Sequence, residues 1–243
     1  MKNILILGAT SEVAIAVADL WAARSCNIML AARNVNRLEP VKKDLTIRNG
    51  ISVSLLEFDA EKTESHQGFY NQLQVKPDVV VCVFGYLGDH DLALSDWQEC
   101  ARILTINYLG AVSILNAVAT DFEKNKRGVI VGVSSVAGDR GRQSNYLYGS
   151  AKSGFTAYLS GLRNRLFKSG IHVVTIKPGF INTRMLAGLS TPAMLTAQPK
   201  QVAAKILKAV NKKKNVVYVL PVWRWIMLII KNIPEAIFKR LKL

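Results

Sequence analysis

Gly128-Val-Ile-Val-Gly-Val-Ser-Ser-Val-Ala-Gly-Asp-Arg-Gly-Arg-Gln-Ser-Asn-Tyr-Leu-Tyr-Gly-Ser-Ala-Lys152 is the stretch on which the reading of this chain turns. Its first part, Gly128–Ser134, is a short apolar run of the kind buried on both faces of a parallel sheet. Ala137–Asn145 is polar and Gly-bearing and reads as a loop. The residues that follow read as a helix, which sets Tyr148 and Lys152 on one face, one turn apart. A Lys ammonium beside a phenol favours the phenolate, so the spacing predicts a Tyr148 pKa lowered from about 10 toward neutrality. Such a phenol exchanges a proton with an alcohol or carbonyl oxygen, and Ser135, at the strand end, is placed to hold that oxygen. A Tyr-x-x-x-Lys pair alone is common on helix surfaces. Its position after a strand end carries the weight, because open α/β sheets bind ligands at the carboxyl ends of their strands. Tyr146 is set aside, since the residue four positions on is Ser150 rather than Lys.

Outward from this stretch, apolar runs predict strands at 3–8, 27–32, 52–57, 78–83, 128–134, 171–177 and 216–220. Helices are expected near 12–24, 36–49, 63–74, 97–123, 145–168 and 200–211. This alternation predicts an α/β fold, a doubly wound parallel sheet covered on both faces. The 243 residues suit one such domain, and with half of them apolar and only 20% charged the chain is globular rather than disordered. Cys26, Cys82 and Cys100 show no metal-ligand spacing and are expected in or near the core, which favours a reducing compartment. Met1-Lys2-Asn3 leads directly into Ile4-Leu5-Ile6-Leu7-Gly8 without the pattern of a signal peptide, so the expected location is cytoplasmic.

Together with Asn107 in Ile106-Asn107-Tyr108, the set Ser135, Tyr148 and Lys152 resembles the short-chain dehydrogenase/reductase family over residues 1–185. The resemblance implies a Rossmann fold and a nicotinamide cofactor. Tyr148 would be proton donor or acceptor and Ser135 the ligand of the substrate oxygen. Lys152 would lower the Tyr148 pKa and hold the nicotinamide ribose, and Asn107 would kink a helix and hold a water in a proton relay. The first turn, Gly8-Ala9-Thr10-Ser11-Glu12-Val13-Ala14, stands where the family has three glycines. Only Gly8 remains, and Glu12 adds a side chain and a charge close to the expected pyrophosphate. An acid in a helix's first turn is itself favourable, and pointing to solvent is one way for the Glu12 carboxylate to be accommodated. Gly8, Thr10, Ser11, Glu12 and Val13 are the expected cofactor contacts of this turn. Arg33 stands where an NAD-preferring member offers an acid, and an arginine there grips a 2′-phosphate, giving NADP(H). Asp59 matches the family Asp beside the adenine. Cys82-Val83-Phe84-Gly85 replaces an Asn-Asn-Ala-Gly and keeps its glycine. Pro178, Ile181 and Thr183 match the segment that binds the nicotinamide carboxamide.

Residues 185–199 occupy the position of a substrate lid and are apolar and uncharged, which suits a greasy substrate. Residues 200–243 hold 11 Lys/Arg against one acid, Glu235, so +10 of the net +15 lies there. Residues 221–243 read as two short amphipathic helices split at Pro234. They are expected to form a basic tail, separable from a 1–220 catalytic domain, whose Trp223, Trp225 and isoleucines lie at an anionic membrane surface. An oligomer contact is the competing reading of the tail; nucleic-acid binding has no motif to support it. The expected partners are thus a lipid-like or lipid-linked keto substrate, the inner face of the cell membrane and a second copy of the chain. Leu87-Gly88-Asp89, Ser134–Arg142 with Ser144-Asn145, Tyr148-Gly149-Ser150 and above all the tail Trp223–Leu243 resemble the reductases of decaprenylphosphoryl-2-keto-ribose. This implies reduction of a keto group on a polyprenyl-phosphate sugar. Reduction of a 3-ketoacyl lipid, or non-catalytic sensing of NADP(H), are the alternatives.

Overall fold

The computed structural model describes residues 1–188 and 190–241. Leu189 of the expected lid and Lys242 and Leu243 of the expected tail lie outside the described residues. Seven parallel strands form the sheet: β1 (Asn3–Leu7), β2 (Asn27–Ala32), β3 (Val53–Glu57), β4 (Val79–Cys82), β5 (Val129–Val133), β6 (His172–Lys177) and β9 (Val216–Tyr218). Their order is β3-β2-β1-β4-β5-β6-β9, and a two-stranded ribbon, β7 (Phe180–Ile181) with β8 (Thr196–Ala197), lies beyond β6. The order reverses between β1 and β4, and a crevice opens at the carboxyl ends of strands there.

Strand alternation divides the core in two. Ile4 and Ile6 of β1 face one side with α1 (Glu12–Ala22), α2 (Glu39–Asn49) and α7 (Pro199–Asn211). Leu5 and Leu7 face the other with α3 (His66–Asn71), α5 (Gly110–Asn125) and α6 (Tyr146–Phe167). The helix expected over 97–123 is interrupted: α4 (Trp97–Leu104) runs through a π-helical turn, Thr105–Leu109, into α5. This whole run is long and apolar enough to cross a membrane, but 56% of its most apolar window is buried inside the fold, so it serves as a core helix.

The tail forms α8 (Pro221–Asn232) and α9 (Glu235–Phe238), split at Pro234 as its sequence predicts. It is not a separable appendage. Trp223 and Met227 of α8 are buried against Val136, with Phe180 and Leu195 packed around them. Arg140 Nη1 donates to the carbonyls of Ile230 and Ile233, both at 2.6 Å, and its guanidinium lies 3.6 Å over the Phe238 ring. Both carbonyls lie at the C-terminal end of α8, where a helix runs short of backbone donors; among the described residues Ile230 O otherwise accepts only from Ile233 N, at 3.4 Å. The expectation that Trp223 lies at a surface is therefore corrected. Its burial splits the tail's apolar residues, leaving Trp225, Leu228, Ile229 and Ile237 exposed.

Candidate active site

Catalytic candidates from three separate elements meet at the carboxyl edge of the sheet. Ser135 follows β5 in extended conformation, and its Oγ accepts from Ala137 N at 3.1 Å. Tyr148 and Lys152 come from the first turns of α6, and both line one cleft with Ser135. Ser134, one residue earlier, ties the strand to the helix: its Oγ donates to Lys152 O at 3.0 Å and lies 2.7 Å from Thr156 Oγ1. Asn107 sits buried in the π-helical turn. Its Nδ2 donates to Tyr86 O (2.5 Å) and Ile103 O (2.9 Å), and its Oδ1 accepts from Tyr86 N at 3.2 Å. A side chain on Gly85 would come within 3.1 Å of Asn107 Oδ1 and 3.4 Å of Lys152 Nζ, so these groups share the floor beneath that glycine.

The electrostatics of this floor differ from the expectation at Tyr148. Burial lifts the phenol to about 12, with the Ser135 hydroxyl pulling the other way, and burial takes Lys152 down to about 8. Lys152 Nζ lies 5.7 Å from the Tyr148 ring centroid and donates to Val133 O at 3.4 Å. At that separation the ammonium does not offset the cost of burying a phenolate, so the predicted fall toward neutrality is corrected. With a pKa near 12 the phenol stays protonated at neutral pH, the form that gives a proton to a ketone oxygen.

A second cleft adjoins the first through Ser11, Glu12, Val83, Phe84, Gly85 and Met185, and it holds Gly8, Thr10, Arg33 and Asp59. Gly8 has φ +89°, and a side chain there would lie 2.7 Å from Phe84, so the one remaining glycine of the turn is the one the backbone requires. Ser11 caps α1, its Oγ accepting from Ala14 N at 3.1 Å. The helix thus opens toward the cleft with the donors that suit a pyrophosphate. Glu12 is partly exposed but not left free in solvent. Arg184 Nε donates to its Oε1 at 2.8 Å, and Arg184 Nη2 donates to Thr10 O at 3.1 Å. Burial works to raise the Glu12 carboxyl, but its own backbone amide and Arg184 outweigh it and hold the group below the usual range. The negative charge that the sequence set beside the pyrophosphate is neutralised by a residue 172 positions away.

The remaining candidates fall into the same pair of clefts. Val13, Pro178, Ile181 and Thr183 line the first, where Thr183 Oγ1 donates to Ile181 O at 3.3 Å. Asp59 Oδ1 accepts from Glu61 N, and Arg33 forms a 3.1 Å ion pair with Glu61. Arg37, which the sequence reading passed over, joins Arg33 in the second cleft. A turn with a required glycine, a capped helix start and two cations fit a nicotinamide dinucleotide with a phosphate on its ribose. Arg33, Asp59 and Arg37 would hold its adenosine end, and Ser135, Tyr148 and Lys152 would meet the nicotinamide end.

Against known proteins, the model of the short chain dehydrogenase family matches residues 2–193. The chain belongs to that family. An uncharacterized oxidoreductase of Mycobacterium tuberculosis is 33% identical over 241 residues, covering 98% of this chain and 96% of that protein. Among solved structures, a short-chain dehydrogenase from Sphingobium yanoikuyae in complex with NADPH superposes with a TM-score of 0.84. It is 21% identical and covers 97% of this chain and 98% of that one. A 3-oxoacyl-[acyl-carrier protein] reductase from Brucella melitensis gives a TM-score of 0.79 at 22% identity, covering 90% and 89% of the two chains.

This short-chain oxidoreductase closes its cleft with residues that its catalytic motif does not foretell. A side chain on Gly179 would lie 2.0 Å from Trp223, so the Pro-Gly segment leaves room for the tail's indole. Trp223 Nε1 donates to Leu195 O at 3.0 Å, and the indole joins the cleft lining. The segment expected to form the lid is tethered as well: Phe180 pairs with Thr196 and Ile181 with Ala197. Arg142 and Asn145 of the loop before α6 complete this side of the cleft. Arg184 had no local sign, because its partner lies at the other end of the domain; the one hint was the unusual Glu12 itself.

Proposed function

We propose that this short-chain dehydrogenase/reductase is an NADPH-dependent reductase of a keto group on a lipid-linked substrate, a polyprenylphosphoryl 2-keto-pentose. It would work as a homo-oligomer in the cytoplasm, held at the inner face of the cell membrane. The observation that carries this reading is Trp223: the same tail helix that walls the catalytic cleft with one apolar side exposes Trp225, Leu228 and Ile229 on another. Arg224, Lys231, Lys239 and Arg240 surround those residues, the composition of a segment at an anionic surface. A chain-bearing ketone could then pass from the lipid surface to Tyr148 along one helix.

Bound NADPH supplies the hydride. The protein's own share is positional and protonic. Ser135 Oγ and the Tyr148 hydroxyl hold the ketone oxygen, and Tyr148 gives it a proton as the alcohol forms. Lys152, charged below about pH 8, stabilises the phenolate left behind. Arg33 and Arg37 select the phosphate on the adenosine ribose.

The test is NADPH oxidation by the full chain on vesicles containing anionic lipid, with a polyprenylphosphoryl 2-keto-pentose or a 3-ketoacyl lipid as substrate. The keto-pentose should turn over, and Tyr148→Phe should lower that rate by about 10²–10⁴ with NADPH affinity nearly unchanged. Turnover of the 3-ketoacyl lipid alone would transfer the assignment to that substrate. NADPH binding without turnover of either would favour a sensor.

A further inference from the structure

Within the catalytic cleft, two buried polar atoms of opposite character stand without partners. Arg142 Nε and Asn145 Oδ1 are both enclosed, and neither makes a hydrogen bond among the described residues. The remaining contacts of the Arg142 guanidinium are weak: Nη2 lies 3.4 Å from Val136 O and 3.8 Å from Met227 Sδ. The carboxylate it feels is Asp139, which is already engaged by Lys177 and by the Tyr218 hydroxyl. A half-buried guanidinium whose Nε is enclosed and which has no committed counter-ion is costly unless something brings the charge and acceptors it lacks. Asn145 is the N-cap of α6, yet its side chain makes no capping bond. Its free acceptor therefore awaits a donor from elsewhere. Both residues line the cleft that holds Tyr148 and Ser135.

We propose that Arg142 and Asn145 form a substrate subsite that takes a phosphate ester joined to a hydroxyl-bearing group. Arg142 binds the phosphate, and Asn145 accepts from a hydroxyl beside it. A guanidinium suits this task because its planar fork matches phosphate oxygens, and in an enclosed cleft each such bond is charge-assisted. The proposal rests on the reductase reading and assigns the residues that would recognise the phosphate and a hydroxyl of its substrate. The phosphate of the lipid carrier would be recognised within the catalytic cleft, not merely attracted to the basic tail outside.

The experiment compares two soluble analogues by calorimetry on the full chain saturated with NADP+: ribose joined at C1 to decyl phosphate, and decyl riboside, which lacks the phosphate. The intact protein should bind the phosphate analogue roughly ten- to a hundredfold more tightly. Arg142→Met should remove that preference while leaving decyl riboside and NADP+ affinities unchanged, and Arg142→Lys should restore part of it. Asn145→Ala should weaken both analogues alike. If Arg142→Met is too unstable to assay, Arg142→Lys and the wild-type comparison carry the test. Equal affinities for the two analogues in the intact protein would overturn the proposal. So would a preference that survives Arg142→Met, which would place the phosphate on the tail. If Arg142→Met abolishes the preference but neither a keto sugar nor a 3-ketoacyl lipid is reduced, the subsite stands and the reductase reading falls.

Discussion

The floor of the cleft and its rim are built in different ways. The floor consists of Ser135, Tyr148, Lys152 and Asn107, set by strand ends and helix turns and held by backbone partners such as Tyr86 O and Lys152 O. The rim is made of side-chain contacts between distant parts of the chain: Glu12 with Arg184, Arg140 with the end of α8, and Gly179 with Trp223. A floor made this way follows from local geometry. A rim made this way depends on residues far apart in the chain, so no single segment of sequence specifies it.

The largest effect should come from removing the rim's buried anchor. Ending the chain at Leu220 was expected from sequence to spare the cofactor site, but it strips Trp223 and Met227 from the core beside Val136. That truncation should aggregate or melt well below the full chain. Trp223→Ala should cost about 3–5 kcal/mol, read in thermal denaturation at about 2–4 °C per kcal/mol. By contrast, Trp225→Ala should leave the melting temperature within a degree or two and weaken binding to anionic liposomes, since Trp225 is 62% exposed. Liposome binding unaffected by Trp225→Ala would break the proposed assignment of the exposed side of α8 to a membrane surface.

A smaller change is expected at the adenosine end. NADPH should bind more tightly than NADH, and Arg33→Ala should reduce that preference by roughly tenfold to a hundredfold at most, from charge-assisted bonds of about 1.5–3 kcal/mol. Part of the preference should persist through Arg37 and vanish only in the double variant. Equal binding of both dinucleotides by the parent would remove the phosphate-selective reading of this end.

Least of all should be lost at the turn. Glu12→Gln breaks a partly exposed ion pair, and such pairs contribute about 1 kcal/mol or less. Its pH dependence is the sharper sign. The folded carboxyl is held below its ordinary value of 4.5, so the contribution is present above that pH and lost as pH falls through the lower folded value. The melting difference between wild type and Glu12→Gln should therefore shrink on going from pH 7 into the acid range. A difference that is constant with pH would mean the carboxylate charge plays no part in the latch.

The same contrast explains what could be read from the sequence. The sheet was legible because each central parallel strand, buried on both faces, writes its own apolar run; β1, β5 and β6 sit within a residue of their expected bounds. The catalytic set was legible because Tyr148 and Lys152 share one helix and Ser135 ends one strand. The interruption at Asn107 was legible only through family resemblance, since nothing in Thr105–Leu109 alone marks a π-helical turn. The Tyr148 pKa was misjudged because helical spacing gives proximity but not burial, and burial decides the sign here. Which side of α8 packs inward was not legible either. Trp223 and Trp225 are alike in composition, and only the space above Gly179 distinguishes them.

The central claim is that hydride passes from NADPH to a ketone carbon while Tyr148 supplies the proton. The direct measurement is mass spectrometry of the product formed from NADPH deuterated at C4 of the nicotinamide, using a polyprenylphosphoryl 2-keto-pentose on anionic vesicles. The account predicts one deuterium on the carbon that carried the ketone, and loss of labelled product in Tyr148→Phe by about 10²–10⁴. Unlabelled product, or labelled product formed equally fast by Tyr148→Phe, would contradict it.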